Sequence, residues 1–363
     1  MGSVAVAQLP MAPEEITTEW LAGVLNFPIK SSKTTRVILD QSASKVFITL
    51  EYEDGPAGND RPEHICIKGG FNPVMMNMEG YKEVLKILYA NEINFINIVT
   101  PKLSNVDLVK VWWSGVNDEQ GQAILIMDDL AAAGNTFGDP TEPWSVDMVK
   151  QGVVQLAGLH ASTWGASADG GEYSALKGPY DFAIMQLAEN WAMITGEGRP
   201  PVTETMTNQD RVKAAMKKHL GTRNPKFIAV THSDPHSGNT WITKDGKPRF
   251  LDWQTTQVSS VFHDFVYFVV GALTVEDRRK HEFELLEHYL SALGNFGGPK
   301  LSVTDEEVLV EYKKNMMSGV GWLLTPFEMQ REERVFAMCE RYNAAMADHK
   351  MMELIEASPA PSA

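Results

Sequence analysis

The chain has 363 residues, of which 44% are hydrophobic and 22% are charged, a composition typical of a soluble globular protein with two or three domain-sized units. Its 32 Lys and Arg stand against 47 Asp and Glu, a formal net charge of −15. Such a charge disfavours nucleic acid and anionic membranes as partners. Two cysteines, Cys66 and Cys339, are too few for a disulfide framework. With no apolar run long enough to span a bilayer and no secretory signal pattern, we expect a cytoplasmic protein.

The first 127 residues carry mainly strand patterns. A helix over residues 13–26 is predicted within an N-terminal extension, residues 1–30, because Pro13 and two acidic residues stand where helices begin. Alternating apolar and polar residues predict a strand at residues 45–53, short strand patterns predict others at residues 36–39, 64–68, 108–113 and 123–127, and one helix is predicted over about residues 78–91. We therefore predict a small β-rich lobe over residues 1–127.

Long helical patterns dominate after Asp128. They predict helices near residues 144–164, 179–193, 204–219, 261–273, 276–293, 303–318 and 327–348. Short strand patterns interrupt them at residues 227–230, 240–242 and 249–251. We interpret residues 128–350 as a larger, mainly helical lobe, and we predict a disordered tail over residues 351–363.

The most specific motif is HxDxxxxN at residues 232–239, followed after a predicted hairpin by Asp252 at the end of an apolar strand. Phosphoryl transfer from a nucleotide needs a carboxylate that accepts the proton of the attacking hydroxyl, and oxygen ligands that hold Mg²⁺ on the phosphates. Asp234 is therefore the predicted catalytic base, and Asn239 and Asp252 are the predicted Mg²⁺ ligands. His232 joins the catalytic group, chiefly as the residue that fixes the loop by hydrogen bonds.

The nucleotide phosphates require a cation, and Lys68 at the end of a short strand is the candidate. A carboxylate on the following helix is expected to hold it. We predict Glu83 for this role, with Glu79, one turn earlier, as the alternative. In the glycine-free segment between the first two strands, Ser42 and Ser44 are the predicted phosphate contacts, although an ordinary hairpin turn explains that segment almost as well. The chain has no GxxxxGK[ST] motif, which excludes a P-loop enzyme.

Two further features stand near the motif. His232 and His236 have the spacing of a zinc-binding HExxH helix, but Pro235 and Gly238 oppose a helix there, and we therefore reject a zinc site. His236 itself either contacts phosphate or substrate, or faces solvent. Asp264, at a predicted helix start, is expected to hold the backbone of the catalytic loop, although a plain helix cap explains it equally well.

The motif residues resemble those of the aminoglycoside phosphotransferase and choline kinase superfamily, and most of all its ecdysteroid-kinase-like branch. The likeness covers about residues 30 to 345 and is carried by residues 40–51, 65–68, 83, 124–130, 159–164 and 232–253. It implies an α+β, bilobal protein-kinase-like fold with a small β-rich N-lobe (residues 1–127) that binds the nucleotide. The larger, mainly helical C-lobe (residues 128–350) then has catalytic and substrate-binding functions. It also implies that the backbone of a hinge at Met127, Asp128 and Leu130 binds adenine.

The function that this resemblance implies is an ATP- and Mg²⁺-dependent transfer of the γ-phosphate to a hydroxyl of a small molecule. A catalytically inactive, nucleotide-binding regulatory protein is the alternative, which the glycine-free segment favours. A kinase acting on proteins is disfavoured, because the interval between Asp252 and Asp264 is too short for a long activation segment. The acceptor is not identified, and Tyr180, Trp191, Trp322 and Glu328 are candidates for its pocket.

Overall fold

The computed structural model describes residues 8–39, 43–58, 60–77, 81–178, 181, 191 and 196–359. The chain divides into two compact units. The first unit comprises Met1–Pro101, Leu108–Thr136 and Leu251–Gln254, and the second comprises Lys102–Asp107, Phe137–Phe250 and Thr255–Ala363. The first is β-rich and the second mainly helical, as predicted for an α+β protein. The predicted boundary at residue 127 is nevertheless too simple, because Leu251–Gln254 returns to the first unit.

The first unit is built on a five-stranded antiparallel sheet of order β1-β2-β3-β5-β4. Its strands are β1 (Ile29–Ile38), β2 (Ser44–Tyr52), β3 (His64–Gly69), β4 (Val111–Asn117) and β5 (Gln122–Asp128). Each predicted strand is present, but β1 begins seven residues earlier than predicted. The reason is that β1 is an edge strand whose residues are mostly exposed, so its sequence lacks the apolar alternation that marks a half-buried strand.

Helices cover both faces of this sheet. They are α1 (Thr18–Leu25), α2 (Pro73–Met76) and α3 (Tyr81–Asn94), the last continued by a π-helical turn at Phe95–Val99. On one face, Leu21 of α1 packs in a cluster with Val46 and Ile67. On the other face, Leu85 of α3 packs with Phe47 and Cys66. Because side chains alternate along a strand, Lys68 lies on the face that α3 covers.

The second unit is organised around one buried helix. Its helices are α4 (Val146–Ser162), α5 (Gln209–Gly221), α6 (Val261–Ala272), α7 (Val275–Asn295), α8 (Glu306–Lys314), α9 (Val320–Leu324), α10 (Glu332–Asp348) and α11 (Met351–Ala357). Every residue of α6 is buried, and α6 packs against α4, α7 and α10. A helix that is apolar on all sides must be enclosed in this way.

Short strands surround the start of α6. The two-residue β6 (Thr136–Phe137) stands where the chain passes from the first unit to the second. Strand β7 (Ile228–Thr231) pairs antiparallel with β10 (Gln257–Ser260), and β8 (Thr240–Ile242) pairs with β9 (Pro248–Phe250). Strand β10 was not predicted, because its sequence Gln-Val-Ser-Ser has no apolar alternation.

Two predictions about the second unit need comment. The disordered tail is wrong for residues 351–357, which form α11 and bury Met351, Met352 and Ile355. The helix predicted over residues 179–193 lies almost wholly outside the described residues. Within the part of the chain that the structure describes, every helix is too short or too polar to cross a lipid bilayer.

Candidate active site

Lys68 is the centre of a buried ionic cluster in the first unit. Its side chain is 5% exposed, and its Nζ lies 2.8 Å from a carboxylate oxygen of Glu92 and 2.7 Å from Asp252 Oδ1. We call Lys68, Glu92 and Asp252 the lysine cluster. The structure thus brings together the residue predicted to bind phosphate and one of the two residues predicted to bind the metal.

The partner of Lys68 on α3 is Glu92, and the prediction of Glu83 is wrong. Glu83 is an exposed residue that pairs with Lys86. Glu92 lies nine positions after Glu83. At about 100° per residue, this interval places the two side chains on opposite sides of the helix. The alternative, Glu79, lies outside the described residues. The sequence did carry a signal, since Glu92 shares its side of the helix with the buried Leu85 and Leu88, at the spacings of one helical face.

The charges in the lysine cluster depend on one another. Burial alone would lower the pKa of Lys68, but the negative charges of Asp252 and Glu92 outweigh burial and raise it above its ordinary value. Burial raises the pKa of Glu92, and the charge of Lys68 offsets part of that rise. Lys68 is therefore charged at neutral pH, and its positive charge stabilises the carboxylates of Glu92 and Asp252.

Asp252 is held in an unusual backbone conformation. Its φ is 64°, in the left-handed region that costs a residue other than glycine about 1–3 kcal/mol. The surrounding contacts maintain it. The Trp253 ring stacks on Phe95 of the π-helical turn with ring centroids 4.1 Å apart. The backbone N–H of Trp253 donates to the Glu92 carboxylate, and Asn91 Nδ2 donates to the Gln254 carbonyl at 2.8 Å. The segment that carries Asp252 is thus fixed against the end of α3.

The predicted hinge begins in the last two residues of β5. Met127 is still part of the sheet, opposite Cys66 and Val111. The carboxylate of Asp128 accepts a hydrogen bond from Trp112 Nε1 at 2.6 Å, which gives that side chain a structural task. The Asp128 N–H donates to the Lys110 carbonyl, and the Leu130 carbonyl accepts from Asn135. Several backbone groups of the hinge are therefore already used within the first unit.

The predicted phosphate contacts are not supported by the geometry of β2. Ser42 lies outside the described residues. Ser44 is opposite Gly69, whereas the residue opposite Lys68 is Lys45. Strand alternation therefore places the Ser44 side chain on the face away from Lys68, where it is 1% exposed. The prediction for the Ser44 hydroxyl is corrected, because from sequence alone the strand could not be given its register.

In the second unit, Asp234 and Asn239 are in direct contact. Asn239 Nδ2 donates to Asp234 Oδ2 and to the Asp234 carbonyl, each at 3.0 Å. Since the amide nitrogen is engaged in this way, the amide oxygen is the atom of Asn239 that can coordinate a cation. The HxDxxxxN spacing thus joins the predicted base to a predicted metal ligand. We call residues 232–239 the catalytic loop.

His236 packs over the end of the catalytic loop. Its Nδ1 accepts the Gly238 N–H at 3.0 Å, and its Nε2 lies 3.7 Å from Asp234 Oδ2. Its ring meets Trp322 edge-on at 5.3 Å. A Cβ on residue 238 would come within 2.7 Å of the His236 ring, so this position requires glycine. His236 is buried, and the solvent-facing alternative is wrong.

His232 acts on the loop rather than on the chemistry. Its side chain is fully buried and its Nδ1 accepts the N–H of Asp234 at 3.3 Å. The ring also packs edge-on against Phe250. This contact to a backbone N–H is a hydrogen bond that fixes the loop, as the sequence predicts. The structure accordingly gives His232 a positioning role.

Asp264 holds the other side of the loop. Its two carboxylate oxygens accept the N–H groups of His232 and Ser233, at 2.7 and 2.8 Å. His160 Nε2 lies 3.1 Å from the same carboxylate. Burial would raise the pKa of Asp264, but the hydrogen bond and charge of His160 lower it below the ordinary value. The expected loop support is confirmed.

Ser233 shows why such support is needed. Its φ is 70°, again in the left-handed region that costs about 1–3 kcal/mol. Besides the bond to Asp264, its carbonyl lies 2.8 Å from His263 Nε2, and its hydroxyl lies 2.8 Å from that of Thr231. These three contacts fix the backbone immediately before Asp234. The Asp234 side chain therefore starts from a fixed backbone position.

The donor atoms fit magnesium. Mg²⁺ takes oxygen ligands and keeps several water and phosphate oxygens, so that one or two protein ligands suffice. The Asn239 amide oxygen in the second unit and the Asp252 carboxylate in the first are each an oxygen donor of this kind, although Asp252 shares one oxygen with Lys68. Among the described residues, no three His, Cys, Asp or Glu side chains gather in a group that could hold a metal ion. Zinc, which prefers nitrogen and sulfur, does not suit this donor set.

The candidates for the acceptor pocket are only partly placed. Trp322 is buried beside His236, and its indole N–H has no hydrogen-bond partner among the described residues. Glu328 is exposed and Trp191 is buried. Tyr180 lies outside the described residues. Among the candidates that the structure describes, Trp322 contacts the catalytic loop through His236.

The profile of the ecdysteroid kinase-like family matches residues 40–296 of this chain. No curated protein matches the chain significantly. Three similar solved structures are choline kinase LicA from Streptococcus pneumoniae, an ethanolamine kinase from Plasmodium vivax, and the amicoumacin kinase hAmiN in complex with AMP-PNP, Ca²⁺ and Ami. Their TM-scores are 0.51, 0.51 and 0.52, and their identities are 15%, 12% and 12%.

These likenesses extend over most of each protein. LicA is matched over 92% of this chain and 99% of that chain, the ethanolamine kinase over 87% and 82%, and hAmiN over 96% and 95%. At such low identities the comparison establishes the fold. The prediction of an α+β protein-kinase-like fold is thereby confirmed.

Proposed function

The chain belongs to the ecdysteroid kinase-like family, and on that premise we propose that it transfers the γ-phosphate of ATP to a hydroxyl group of a small molecule. The observation that carries the proposal is the pair of hydrogen bonds from Asn239 to Asp234, because it joins a proton acceptor to a metal ligand within one rigid loop. Family membership supports kinase chemistry on small molecules, and the loop supports an active enzyme over a regulatory protein.

Asp234 is the general base in this proposal. The acceptor hydroxyl binds with its hydrogen toward an Asp234 carboxylate oxygen, and the hydroxyl oxygen attacks the γ-phosphorus. The bond between the γ-phosphorus and the bridging oxygen of ADP breaks, and the hydroxyl proton passes to Asp234. Three sets of hydrogen bonds act before the reaction: His232 accepts the Asp234 N–H, Asn239 donates to Asp234, and Asp264 accepts the N–H groups of His232 and Ser233. They hold Asp234 in place, so that little reorganisation is needed during transfer.

The first unit supplies the nucleotide contacts. Lys68 binds the α- and β-phosphates, and Glu92 holds the ammonium in position for them. Asn239 and Asp252 would hold Mg²⁺, which neutralises charge on the phosphate oxygens during transfer. Because the Asp128 N–H and the Leu130 carbonyl are already hydrogen-bonded, adenine binds to the Asp128 carbonyl and the Leu130 N–H.

The acceptor binds to the second unit. Trp322 and His236 line the approach to Asp234, and the unpartnered indole N–H of Trp322 offers a hydrogen bond to a polar group of the acceptor. The similar solved structures include kinases named for choline, ethanolamine and amicoumacin, which are small hydroxylated molecules. An acceptor of that class, with a free hydroxyl, is the substrate that we propose here.

The test is ADP formation from ATP and Mg²⁺ in the presence of a library of small alcohols. We expect at least one alcohol to stimulate ADP release, and Asp234→Asn to abolish the stimulation. Asp245→Asn is the matched control, because Asp245 is an exposed residue of the hairpin after the catalytic loop, and it should keep full activity. ATP binding without transfer to any alcohol would instead favour the regulatory protein.

A further inference from the structure

Lys45 and Lys68 are neighbours on the sheet of the first unit. They are register partners in the antiparallel strands β2 and β3. Residues directly opposite each other in such a pair have Cβ atoms about 4.5–5.5 Å apart and point to the same side of the sheet. Lys45 thus shares the face of the lysine cluster, whereas Ser44 does not.

Other observations place the charge of Lys45 on that face. Phe47 and Cys66 are the next register pair along the two strands, on the same side. Burial raises the pKa of the Cys66 thiol to about 12, and the positive charge of Lys45 opposes the rise more than that of Lys68 does. Lys45 is half-buried, and its Nζ lies 3.5 Å from the carbonyl of Ala43. Its ammonium group therefore lies beside the segment that joins β1 to β2.

The phosphates of a nucleotide would need such a charge. In the lysine cluster, one ammonium faces two carboxylates, so the cluster has no excess of positive charge for a triphosphate. Kinases of related fold cover the phosphates with a glycine-rich loop whose backbone N–H groups face them. Residues 40–45 of this chain contain no glycine, and the Ser44 hydroxyl points to the other face. Lys45, one residue after Ser44, compensates for the lack of excess positive charge and for the lack of a glycine-rich loop.

We propose that Lys45 is a second phosphate-binding residue, which contacts the β- and γ-phosphates of the nucleotide beside Lys68. This inference rests on the proposed function, since it assumes that the chain binds ATP. The Lys45 side chain takes the place of the backbone N–H groups of a glycine-rich loop, so that one charge-assisted contact replaces several neutral hydrogen bonds. The adenine and ribose are bound elsewhere and do not depend on Lys45.

The test compares the binding of ATP and of adenosine by calorimetry in the presence of Mg²⁺. We expect Lys45→Gln to weaken ATP binding by about tenfold to a hundredfold, the range for a hydrogen bond to a charged group. Adenosine, which has no phosphate, should bind within about twofold of the wild-type affinity. Lys45→Arg keeps the charge and should restore most of the affinity for ATP.

Lys33→Gln is the matched control. Lys33 is an exposed lysine opposite Thr49, on the same face of the sheet, but four residues along β2 from Lys45, or about 13 Å. The Lys33→Gln variant should bind ATP and adenosine as the wild type does. Adenosine binding also reports that each variant is folded.

Each outcome decides a separate point. If Lys45→Gln binds ATP as tightly as the wild type, or loses adenosine affinity to the same extent as ATP affinity, the inference is overturned while the proposed function stands. If the wild type binds adenosine and ATP equally, no phosphate contact exists and the inference fails. If the wild type binds neither ligand, the proposed function fails and the inference fails with it.

Discussion

Lys68 pairs with Glu92, 24 residues further along the chain and near the end of α3. The pair is buried on both sides, with 5% and 7% of the side chains exposed. Removal of one member of a buried pair leaves the other charge uncompensated. In this protein the second carboxylate, Asp252, would then be the sole partner of Lys68 in the cluster, and would draw the ammonium toward itself.

Glu92→Gln should therefore weaken the nucleotide site. We expect the KM for ATP to rise by about tenfold or more, because Lys68 loses the contact that positions it for phosphate. Glu83→Gln, on the opposite side of the same helix, should leave KM within about twofold, since its exposed pair with Lys86 contributes little. Steady-state kinetics at varied ATP measure both. Equal effects of the two substitutions would show that Glu92 has no special role.

The buried Asp264 carboxylate, which supports the catalytic loop, gives a second prediction. Asp264 accepts two backbone N–H groups of the loop and contacts His160. Asp264→Asn should lower the free energy of unfolding at neutral pH by about 3 kcal/mol and reduce kcat, because the backbone before Asp234 is released. Asp169→Asn, at an exposed loop position, should change neither. Urea denaturation and steady-state rates check the two effects.

The same carboxylate makes stability depend on pH. The folded-state pKa of Asp264 lies below its ordinary value, whereas the pKa of an Asp side chain in the unfolded protein is about 3.9. A carboxyl of lowered pKa stabilises the fold above the unfolded pKa, and this contribution is lost as the pH falls through the folded pKa. Between about pH 5 and pH 3, the stability of Asp264→Asn should thus fall less steeply than that of the wild type. Parallel curves would contradict this assignment.

How far the sequence predicts this site depends on the distance over which each contact acts. The relation between Asp234 and Asn239 could be predicted because it is local, with the two residues five positions apart in one loop. Asp252 and Lys68 were found because each ends an apolar strand. Glu92 was missed because its role depends on where α3 ends and on the rotation of that helix, and packing against the sheet decides both.

The same distinction holds for the fold. Strand β2 alternates clearly, β3 and β5 are short runs rich in apolar residues, and all three were predicted, whereas β10 is mostly polar and exists because it pairs with β7. The register of β2 against β3, which separates Lys45 from Ser44, is set by the packing of two sheet faces. The tail was misjudged because the Pro and Ser residues at its end hid the helical spacing of Met351, Met352 and Ile355.

Helix α11 gives a prediction of stability. Met351, Met352 and Ile355 are at most 2% exposed, α11 packs against α5 and α8, and the Glu356 carboxylate pairs with Arg211. Truncation after Lys350 should cost roughly 4 kcal/mol or more, since each buried apolar side chain contributes about 1.5–3 kcal/mol. Truncation after Ser358 keeps α11 and should cost nothing measurable. Thermal unfolding separates the two, and equal stabilities would mean that α11 is dispensable.

The most direct measurement supplies ATP with heavy oxygen in its γ-phosphate, together with Mg²⁺ and a metabolite extract, and follows the label by mass spectrometry. With the wild type we predict a small alcohol that gains one labelled phosphoryl group and loses one hydroxyl proton. With Asp234→Asn this product should fall by about 100-fold or more, the contribution expected of a general base. Label found solely in inorganic phosphate, or equal product from both proteins, would contradict the assignment of Asp234 and of the reaction.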